Sequence, residues 1–340
     1  MTALAPGGAV SAQADLPLAR AARIAALSGY VPARVMTNDE LSGIVATDDA
    51  WIRQRTGVRT RHVAGETEYT SDLCISAVRR LVAEHGVELH DVDYVIVCTS
   101  TADYAFPSVA ALVQDAFGIP AAGAFDLSAA CAGFAYGLNV GNALVASGTA
   151  RKVLLVGGET MTKALDYADR STCVLFGDGA GAAILEPADE LSGIVASVAG
   201  SDGGSARHLY RTAVRPDISG TVDGSRLLRQ NGSHVYKWVL EHVPDAIRAL
   251  LARAQVSADA LDWFVPHSAN ARIIERLCEL TGIPLRKTLT SVESCGNTSA
   301  ASIPIALWNA ARAGRIARGD RILTIGFGGG LVYAGAVLRW

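Results

Sequence analysis

The sequence predicts an α/β protein with five alternating layers, α/β/α/β/α, built from two similar halves. Two observations lead to this prediction. The order helix, strand, helix, strand occurs twice, over residues 71–159 and again over residues 243–330. The strands of both copies are short, nearly continuous apolar runs, which are typical of parallel sheets covered by helices on both faces. We therefore expect two matched sheets separated and flanked by helices.

The first copy begins with SDLCISAVRRLVAEHG, residues 71–86, whose apolar positions recur at helical spacing. VELHDVDYVIVCTS, residues 87–100, then predicts a turn and a buried strand. An Ala/Gly-rich helix leads to the next strand, RKVLLVGGE, at residues 151–159. That helix lies in a charge-free stretch, residues 127–150, which is long enough to span a bilayer. Its serine and asparagine residues favour a helix buried inside protein, so we expect no membrane span.

The second copy repeats this order with VPDAIRALLARAQ, VSADALDWFVPHSA, an Ala-rich helix and DRILTIGFGGG. Between the copies, SDGGSA, RPDISGTVDGS and RQNGS predict loops and hairpins. We expect a flexible tail over residues 1–21, an N-terminal half over 22–186, connecting loops and hairpins over 187–235, and a C-terminal half over 236–340. The alternative to a duplication is chance similarity between two ordinary strand–helix units.

Composition excludes several classes of function. Of the 340 residues, 50% are hydrophobic and only 19% are charged, which indicates extensive burial or a subunit interface. The net charge of -3 and the lack of a Lys/Arg run argue against nucleic acid as a partner. The six cysteines are scattered without CxxC or Cys/His spacing. We therefore expect no metal site and no disulfides, and a reducing, cytoplasmic compartment.

Cys131 is the first candidate catalytic residue. It follows the strand-like GAFDL and opens a helical pattern within DLSAACAGFAYGL, residues 126–138. A thiol at the start of a helix is expected to have a lowered pKa and thiolate character. Small neighbours such as Ala130 and Gly133 allow a substrate to approach closely. Taken alone, however, a cysteine beside alanines is more often a packed core residue.

His267 and Asn297 are two further candidates. His267 follows the strand WFVP at the same sheet edge as Thr99 of the first copy, and sites form at that edge in parallel α/β sheets. Asn297, in SCGNTSAASIPIAL, occupies a helix start comparable to that of Cys131. A real duplication would place the two helix starts face to face with His267 between them. Separately, His267 could be a structural histidine and Asn297 a helix cap. The closing FGGG, residues 327–330, can direct a backbone N–H at an oxyanion.

Together these motifs resemble those of β-ketoacyl-acyl-carrier-protein synthase III, a family of condensing enzymes with the thiolase fold. The resemblance covers nearly the whole chain after the tail. The motifs that carry it, in order, are TNDELSGIVATDDAWIRQRTGVRTR, AFPS, FDLSAACAGF, DRSTCVLFGDGAGAAIL, GNTSAAS and FGGG. The resemblance implies a thiolase-like duplicated fold, a homodimer, a catalytic triad of Cys131, His267 and Asn297, and coenzyme A thioesters as acyl donors.

The resemblance also implies how coenzyme A would be held. By motif, Trp51 and Arg55 in AWIRQRTG and Arg170 in YADRST would hold the adenine and the phosphates, in keeping with the stacking and phosphate pairing of guanidinium groups. Asn270 in HSAN and Gly232 in QNGS would line the pantetheine channel. The alternatives are that Trp51 is a core residue and that Arg170 is a charge at the end of a helix.

Other residues are assigned to the acyl pocket and to carrier-protein docking. Phe106 in AFPS would reach across the dimer to close the partner's acyl pocket, and Met161 and Tyr236 are further candidates for that pocket. Candidates for the docking face are Lys237, Arg272 and Arg276. The sequence departs from the family after His267, where Ser-Ala-Asn replaces the common Gln-Ala-Asn, and the next helix carries two glutamates, Glu275 and Glu279. Because carrier proteins are acidic, we expect a weakened docking face and a pathway-specific member of the family.

The implied reaction has two stages. Cys131 takes an acyl group from acyl-coenzyme A, with the N–H groups of Cys131 and Gly329 as the oxyanion hole. A malonyl thioester, on acyl carrier protein or on coenzyme A, then loses carbon dioxide while His267 and Asn297 stabilise the enolate, which attacks the acyl-cysteine. The product starts a fatty-acid or polyketide chain, and no metal or redox cofactor is required.

Four alternatives compete with condensation. An acyltransferase would pass the acyl group to a hydroxyl or an amine, but Asn297 argues against it, because such a transfer mainly needs a base. A biosynthetic thiolase would carry a second cysteine near the final glycines, and FGGGLVYAG has none. A non-catalytic partner subunit would be expected to lose Cys131. A cysteine hydrolase would need water at the acyl-enzyme and an orienting aspartate, which the sequence does not indicate.

Overall fold

The computed structural model describes residues 21–190, 192–218 and 220–340, so all of the predicted tail except Ala21 lies outside the described residues. The helices are α1 (Asn38–Ser42), α2 (Asp49–Thr56), α3 (Thr70–His85), α4 (Val109–Ala116), α5 (Gly133–Ala146), α6 (Arg170–Cys173), α7 (Gly232–Ala254), α8 (Ala271–Thr281), α9 (Val292–Cys295) and α10 (Ser302–Arg312). The strands are β1 (Ala22–Tyr30), β2 (Arg34–Thr37), β3 (Thr60–Val63), β4 (Tyr94–Cys98), β5 (Gly123–Leu127), β6 (Val153–Thr160), β7 (Asp178–Pro187), β8 (Gly193–Ser201), β9 (Leu209–Arg211), β10 (Asp217–Ile218), β11 (Thr221–Val222), β12 (Leu228–Gln230), β13 (Trp263–Pro266), β14 (Arg321–Gly328) and β15 (Val332–Arg339).

Two sheets with the same strand order form the frame of the molecule. The first runs β1-β7-β6-β4-β5 and the second runs β8-β15-β14-β13. In both sheets the first two pairings are antiparallel and the next is parallel. At the edge that corresponds to β5 of the first sheet, the second sheet has one parallel bridge, between Phe264 and Thr288. The shared order confirms the predicted duplicated architecture.

Helices cover and separate these sheets. α3 and α4 pack on the outer face of the first sheet, and α7 packs on the outer face of the second, with α8 beside it. α5 and α10 lie between the sheets and contact strands of both. A β-carbon at Gly137 of α5 would lie 2.5 Å from the Leu155 side chain and 2.7 Å from Cys98 Sγ, so this central helix needs glycine to approach β4 and β6. Its charge-free sequence thus reflects burial inside protein.

Two details of the predicted organisation are wrong. The sheets are mixed, because each ends in antiparallel strands at the β1 or β8 edge. The segment 187–235, predicted as loops and hairpins, contains β8, which pairs along its length with β15, and it also contains the first turn of α7. β8 is rich in Gly, Ala and Ser, and its backbone hydrogen bonds come from a strand more than a hundred residues later in the sequence. Within residues 21–190, 192–218 and 220–340, no helix is both long enough and apolar enough to cross a membrane.

Candidate active site

Cys131 lies in a tight turn between β5 and α5. Residues 130–132 form a 3-10 turn, and Ala130 adopts a left-handed conformation with φ of 46°. The end of β14 packs directly against this turn. A β-carbon at Gly328 would lie 2.7 Å from Cys131 Cβ and 3.1 Å from both its Sγ and its backbone N. Glycine is therefore required opposite the thiol.

The electrostatic state of Cys131 differs from the expectation. Burial raises the pKa of the thiol to about 12, the charge of Glu159 acts in the same direction, and a hydrogen bond with the Ser299 side chain lowers it. Only 8% of the cysteine is exposed, and α5 itself begins two residues later. Desolvation thus outweighs the stabilisation expected at a helix start, and the resting group is a thiol.

His267 stands just beyond the end of β13. Its backbone N–H donates to the Ile325 carbonyl at 2.8 Å, and its Nδ1 lies 2.7 Å from Ser302 Oγ. The Phe327 ring packs edge-on against the imidazole, with ring centroids 5.4 Å apart. Burial lowers the pKa of His267 to about 3, so the imidazole is neutral at physiological pH. The sequence analysis missed Ser302, although it lies within the GNTSAAS motif.

Asn297 is fixed by its own backbone and by its side-chain oxygen. Its N–H donates to the Leu175 carbonyl at 2.9 Å, and its carbonyl accepts from the Gly177 N–H at 3.1 Å. Its Oδ1 accepts the backbone N–H of Ser299 at 2.9 Å. Because the amide oxygen is occupied in this way, the NH2 group is the part of the side chain left to donate.

The predicted match between Asn297 and Cys131 is wrong by three residues. The turn before α10 is a 3-10 turn over residues 299–301, and Ser299 has a left-handed φ of 48°. Ser299 therefore matches Ala130 of the other half, and Ala300 matches Cys131. Asn297 comes three residues before Ala300, in the strand-like bridge to Phe176.

A single cavity of about 1140 Å³ brings most of the predicted residues together. Residues of the prediction that line it are Cys131, His267, Asn297, Gly329, Trp51, Arg55, Arg170, Gly232, Asn270, Met161 and Tyr236. Phe106 does not line it and is 86% exposed in the single chain. Gly328, which the sequence analysis did not single out, also lines the cavity and lies against Cys131.

The mouth of the cavity carries stacked and positively charged groups. The Arg170 guanidinium lies over the Trp51 ring, 4.7 Å from its centroid, and also donates to the Ala46 carbonyl. Asn270 caps α8 and donates through Nδ2 to the Arg55 carbonyl at 3.0 Å. The side chain of Arg55 is exposed beside this bond. This arrangement offers a cationic and aromatic surface for an anionic ligand.

The predicted docking residues lie outside the large cavity. Lys237 is exposed on the first turns of α7. Arg272, exposed on α8, lines a smaller cavity of about 420 Å³ together with Gln54 and Arg55. Arg276 pairs with Glu279 at 2.6 Å, so one of the three positive charges is partly neutralised on its own helix.

Comparison with known proteins identifies a family that this chain resembles over most of its length. The family model "3-Oxoacyl-[acyl-carrier-protein (ACP)] synthase III" matches residues 125–203, and its C-terminal companion model matches residues 251–340. A protein of Bacillus subtilis named β-ketoacyl-[acyl-carrier-protein] synthase III 2 is 50% identical over 94% of this chain and 98% of its own length. Cys131 lies in the first matched segment, and His267 and Asn297 lie in the second.

Solved structures agree with the sequence relatives. The β-ketoacyl-[acyl carrier protein] synthase III of Thermus thermophilus superimposes with a TM-score of 0.91 at 45% identity, covering 94% of this chain and 99% of that one. The priming β-ketosynthase from the R1128 polyketide biosynthetic pathway superimposes with a TM-score of 0.88 at 38% identity, covering 94% and 96%.

Proposed function

The chain belongs to the 3-oxoacyl-[acyl-carrier-protein] synthase III family of acyl-transferring, condensing enzymes, and on this premise we propose that Cys131, His267 and Asn297 condense an acyl group with a malonyl thioester. The observation that carries this assignment is the single cavity that all three residues line and that opens beside the stacked Arg170 and Trp51. The acyl donor is a coenzyme A thioester, and the product starts a fatty-acid or polyketide chain.

The first stage is transfer of the acyl group to Cys131. A thiol with a pKa of about 12 must lose its proton as the new carbon–sulfur bond forms. The neutral imidazole of His267 is the base in this cavity, and it later returns the proton to the sulfur of the departing coenzyme A. The backbone N–H groups of Cys131 and Gly329 stabilise the oxyanion of the tetrahedral intermediate.

The second stage is decarboxylation and carbon–carbon bond formation. Loss of carbon dioxide from the malonyl thioester leaves an enolate, whose oxygen accepts hydrogen bonds from His267 and from the Asn297 NH2 group. The Ser302 hydroxyl can accept from or donate to His267 Nδ1, so both neutral tautomers of the imidazole are available to the two stages. The carbanion then attacks the acyl-cysteine and releases the Cys131 sulfur as a thiolate, which takes up a proton from solvent to restore the resting thiol.

Several finer assignments complete the proposal. Trp51, Arg55 and Arg170 hold the adenine and phosphates of coenzyme A, and Asn270 and Gly232 line the pantetheine channel. The malonyl group is carried by acyl carrier protein or by coenzyme A, and the chemistry requires no metal or redox cofactor.

The protein acts as a homodimer in which Phe106, 86% exposed in the single chain, closes the partner's acyl pocket beside Met161 and Tyr236. Carrier-protein docking involves Lys237 and Arg272 more than the paired Arg276. The six free, buried cysteines suit the reducing environment of the cytoplasm.

The test follows both stages on the purified protein. We expect incubation with a panel of acyl-coenzyme A thioesters to place an acyl group on Cys131, as detected by peptide mass spectrometry. Addition of a malonyl thioester should then consume the adduct with release of carbon dioxide. Cys131→Ala should abolish the adduct, whereas Cys278→Ala, at a buried cysteine outside the cavity, should retain it. An adduct that persists until an alcohol or amine is added would favour the acyltransferase, and no adduct with any donor would refute the nucleophile.

A further inference from the structure

A buried carboxylate lies next to the triad without a place in the mechanism. Glu159 stands near the end of β6 and is fully buried. Within the described ranges, no Lys, Arg or His side chain forms an ion pair with it. Instead, its oxygens accept hydrogen bonds from the Ser100 backbone N–H at 3.1 Å, the Thr101 hydroxyl at 2.5 Å and the Ser299 hydroxyl at 3.0 Å, with Thr99 Oγ1 at 3.3 Å. Burial raises the pKa of the Glu159 carboxyl, and these hydrogen bonds lower it, because donors on every side stabilise the ionised form.

The donors come from both halves of the molecule. Thr99, Ser100 and Thr101 follow β4 of the first sheet, and Ser299 belongs to the turn before α10 in the second half. Thr99, Ser100 and Ser299 also line the large cavity. The Glu159 carboxylate therefore links two segments of the cavity wall that are far apart in the sequence.

Glu159 marks a difference between the two halves. A β-carbon at Gly157 of β6 would lie 2.7 Å from the Ala300 carbonyl, and one at Gly326 of β14 would lie 2.7 Å from Ala132 Cα. These two glycines occupy matched places, so the residues two positions later, Glu159 and Gly328, also match. Opposite the Cys131 thiol, β14 of the second half has glycine, whereas at the matched position β6 of the first half has the Glu159 carboxylate, which binds Ser299.

Ser299 connects this carboxylate to the catalytic groups. It has a left-handed φ of 48°, a strained conformation for a residue with a side chain. Its hydroxyl donates to Glu159, its backbone N–H donates to Asn297 Oδ1, and its side chain lowers the pKa of the neighbouring Cys131 thiol. Loss of the hydroxyl anchor would let the strained turn relax, and the Asn297 amide oxygen would lose its fixed donor.

We propose that Glu159 is a positioning residue for the decarboxylation stage. Its carboxylate holds the Ser299 turn, and that turn holds the Asn297 amide with its NH2 group directed to the enolate oxygen. This inference rests on the proposed function. It assigns to Glu159 no contact with the substrate and no step of proton transfer, and it predicts that decarboxylation depends on Glu159 more than acylation does.

The two stages are measured separately on the full-length protein. The first rate is formation of the acyl-Cys131 adduct from acyl-coenzyme A. The second is single-turnover release of carbon dioxide from malonyl-coenzyme A by the acylated enzyme. The variants are Glu159→Gln, Ser299→Ala and their double mutant, with Thr70→Val as the matched control. Thr70 is buried, and its hydroxyl bonds Thr101 and Thr160 rather than Ser299, so its loss disturbs the surroundings of Glu159 while the bond between Glu159 and Ser299 remains.

We expect Glu159→Gln to lower carbon dioxide release by about 10- to 100-fold while acylation falls by less than about threefold, because a misdirected Asn297 donor slows the stage in which the enolate forms, and loss of the charge that raises the pKa of Cys131 does not slow acylation. Ser299→Ala also removes the side chain that lowers the pKa of Cys131, so it should slow acylation as well, but carbon dioxide release should fall by the larger factor. The double mutant should release carbon dioxide no more slowly than the slower single mutant, and Thr70→Val should leave the ratio of the two rates unchanged.

Equal losses in both stages, no loss of carbon dioxide release, or additive effects in the double mutant would overturn the inference. If circular dichroism shows Glu159→Gln to be unfolded, Ser299→Ala against Thr70→Val decides it. Failure of the wild-type protein to release carbon dioxide would refute the proposed function, whereas the ratios between variants test only Glu159.

Discussion

The contact between Gly328 and the nucleophile allows a quantitative test of the site. In Gly328→Ala the new β-carbon would lie 2.7 Å from Cys131 Cβ and 3.1 Å from both the Cys131 backbone N and Sγ. Ordinary contacts between carbon atoms are about 3.5–4.0 Å, so the turn and the strand must separate by nearly an ångström. Overpacking of this kind typically costs about 1–3 kcal/mol of stability. A displacement of about 1 Å at reacting groups costs about 100-fold in rate.

We therefore expect Gly328→Ala to remain folded with a lowered melting temperature and to acylate Cys131 about 100-fold more slowly than the wild type. Rapid-quench mass spectrometry of the acyl adduct measures the rate, and thermal unfolding measures the stability. Gly203→Ala is the matched control, because nothing lies within 4 Å of its added methyl group, and both quantities should stay unchanged. Acylation by Gly328→Ala at the wild-type rate would refute the argument that β14 fixes the thiol.

Three further predictions concern protonation and binding. Because the pKa of Cys131 is raised to about 12, its alkylation by iodoacetamide should rise about tenfold per pH unit from pH 7 to pH 10, and a plateau near neutral pH would contradict this. Because the pKa of His267 is lowered from 6.5 to about 3, the unfolded chain binds a proton there that the folded chain does not. His267 therefore lowers the free energy of unfolding as the pH falls from 6.5 towards 3, by up to about 1.4 kcal/mol per pH unit. His267→Asn should flatten this pH dependence of the free energy of unfolding, as measured by denaturant titrations. An unchanged slope would refute the buried neutral imidazole. Arg170→Ala should raise KM for acyl-coenzyme A about tenfold with little change in kcat, because it removes a binding contact. KM for an acyl-pantetheine, which lacks adenine, should stay unchanged. Equal effects on both substrates would refute a contact between Arg170 and the adenine end of coenzyme A.

Much of the frame could be predicted because its signals are local. The strands β4, β6, β13 and β14 are continuous apolar runs, and each is buried in the structure as such runs require. β8 escaped prediction because its Gly-, Ala- and Ser-rich sequence has little strand character of its own. It is a strand because β15 supplies its hydrogen bonds, and pairing between segments far apart in the chain cannot be predicted from a short window of sequence.

The sequence predicts most of the residues that the structure brings into one cavity, but it does not predict their electrostatics. Cys131 was recognised from its position at a helix start, from which a lowered pKa was expected. The raised pKa follows from burial beneath β14 and from the charge of Glu159, both of which depend on the tertiary structure. Glu159 itself resembles an ordinary charge at the end of a strand, because most of its hydrogen-bond donors lie 58 to 140 residues away in the sequence. A buried role for such a residue emerges only when both halves are assembled.

The two halves share one architecture but carry different residues at their matched positions. Three pairs of residues occupy matched positions in the two halves. They are Cys98 and His267 at the ends of β4 and β13, Cys131 and Ala300 in the turns before α5 and α10, and Glu159 and Gly328 at the ends of β6 and β14. The number of residues along the chain from the first member to the second is the same in every pair. In the first half the nucleophile faces glycine, which leaves room for an acyl group beside the sulfur. At the matched turn of the second half Ala300 replaces the cysteine, and the Glu159 carboxylate from β6 of the first half occupies the space and orders the turn next to Asn297. Cys98 stays packed under α5 with its pKa raised by burial, while its counterpart His267 faces the cavity. In the proposed mechanism the cavity therefore draws its nucleophile, Cys131, from one half and both enolate donors, His267 and Asn297, from the other, so that reaction requires the two halves to pack together.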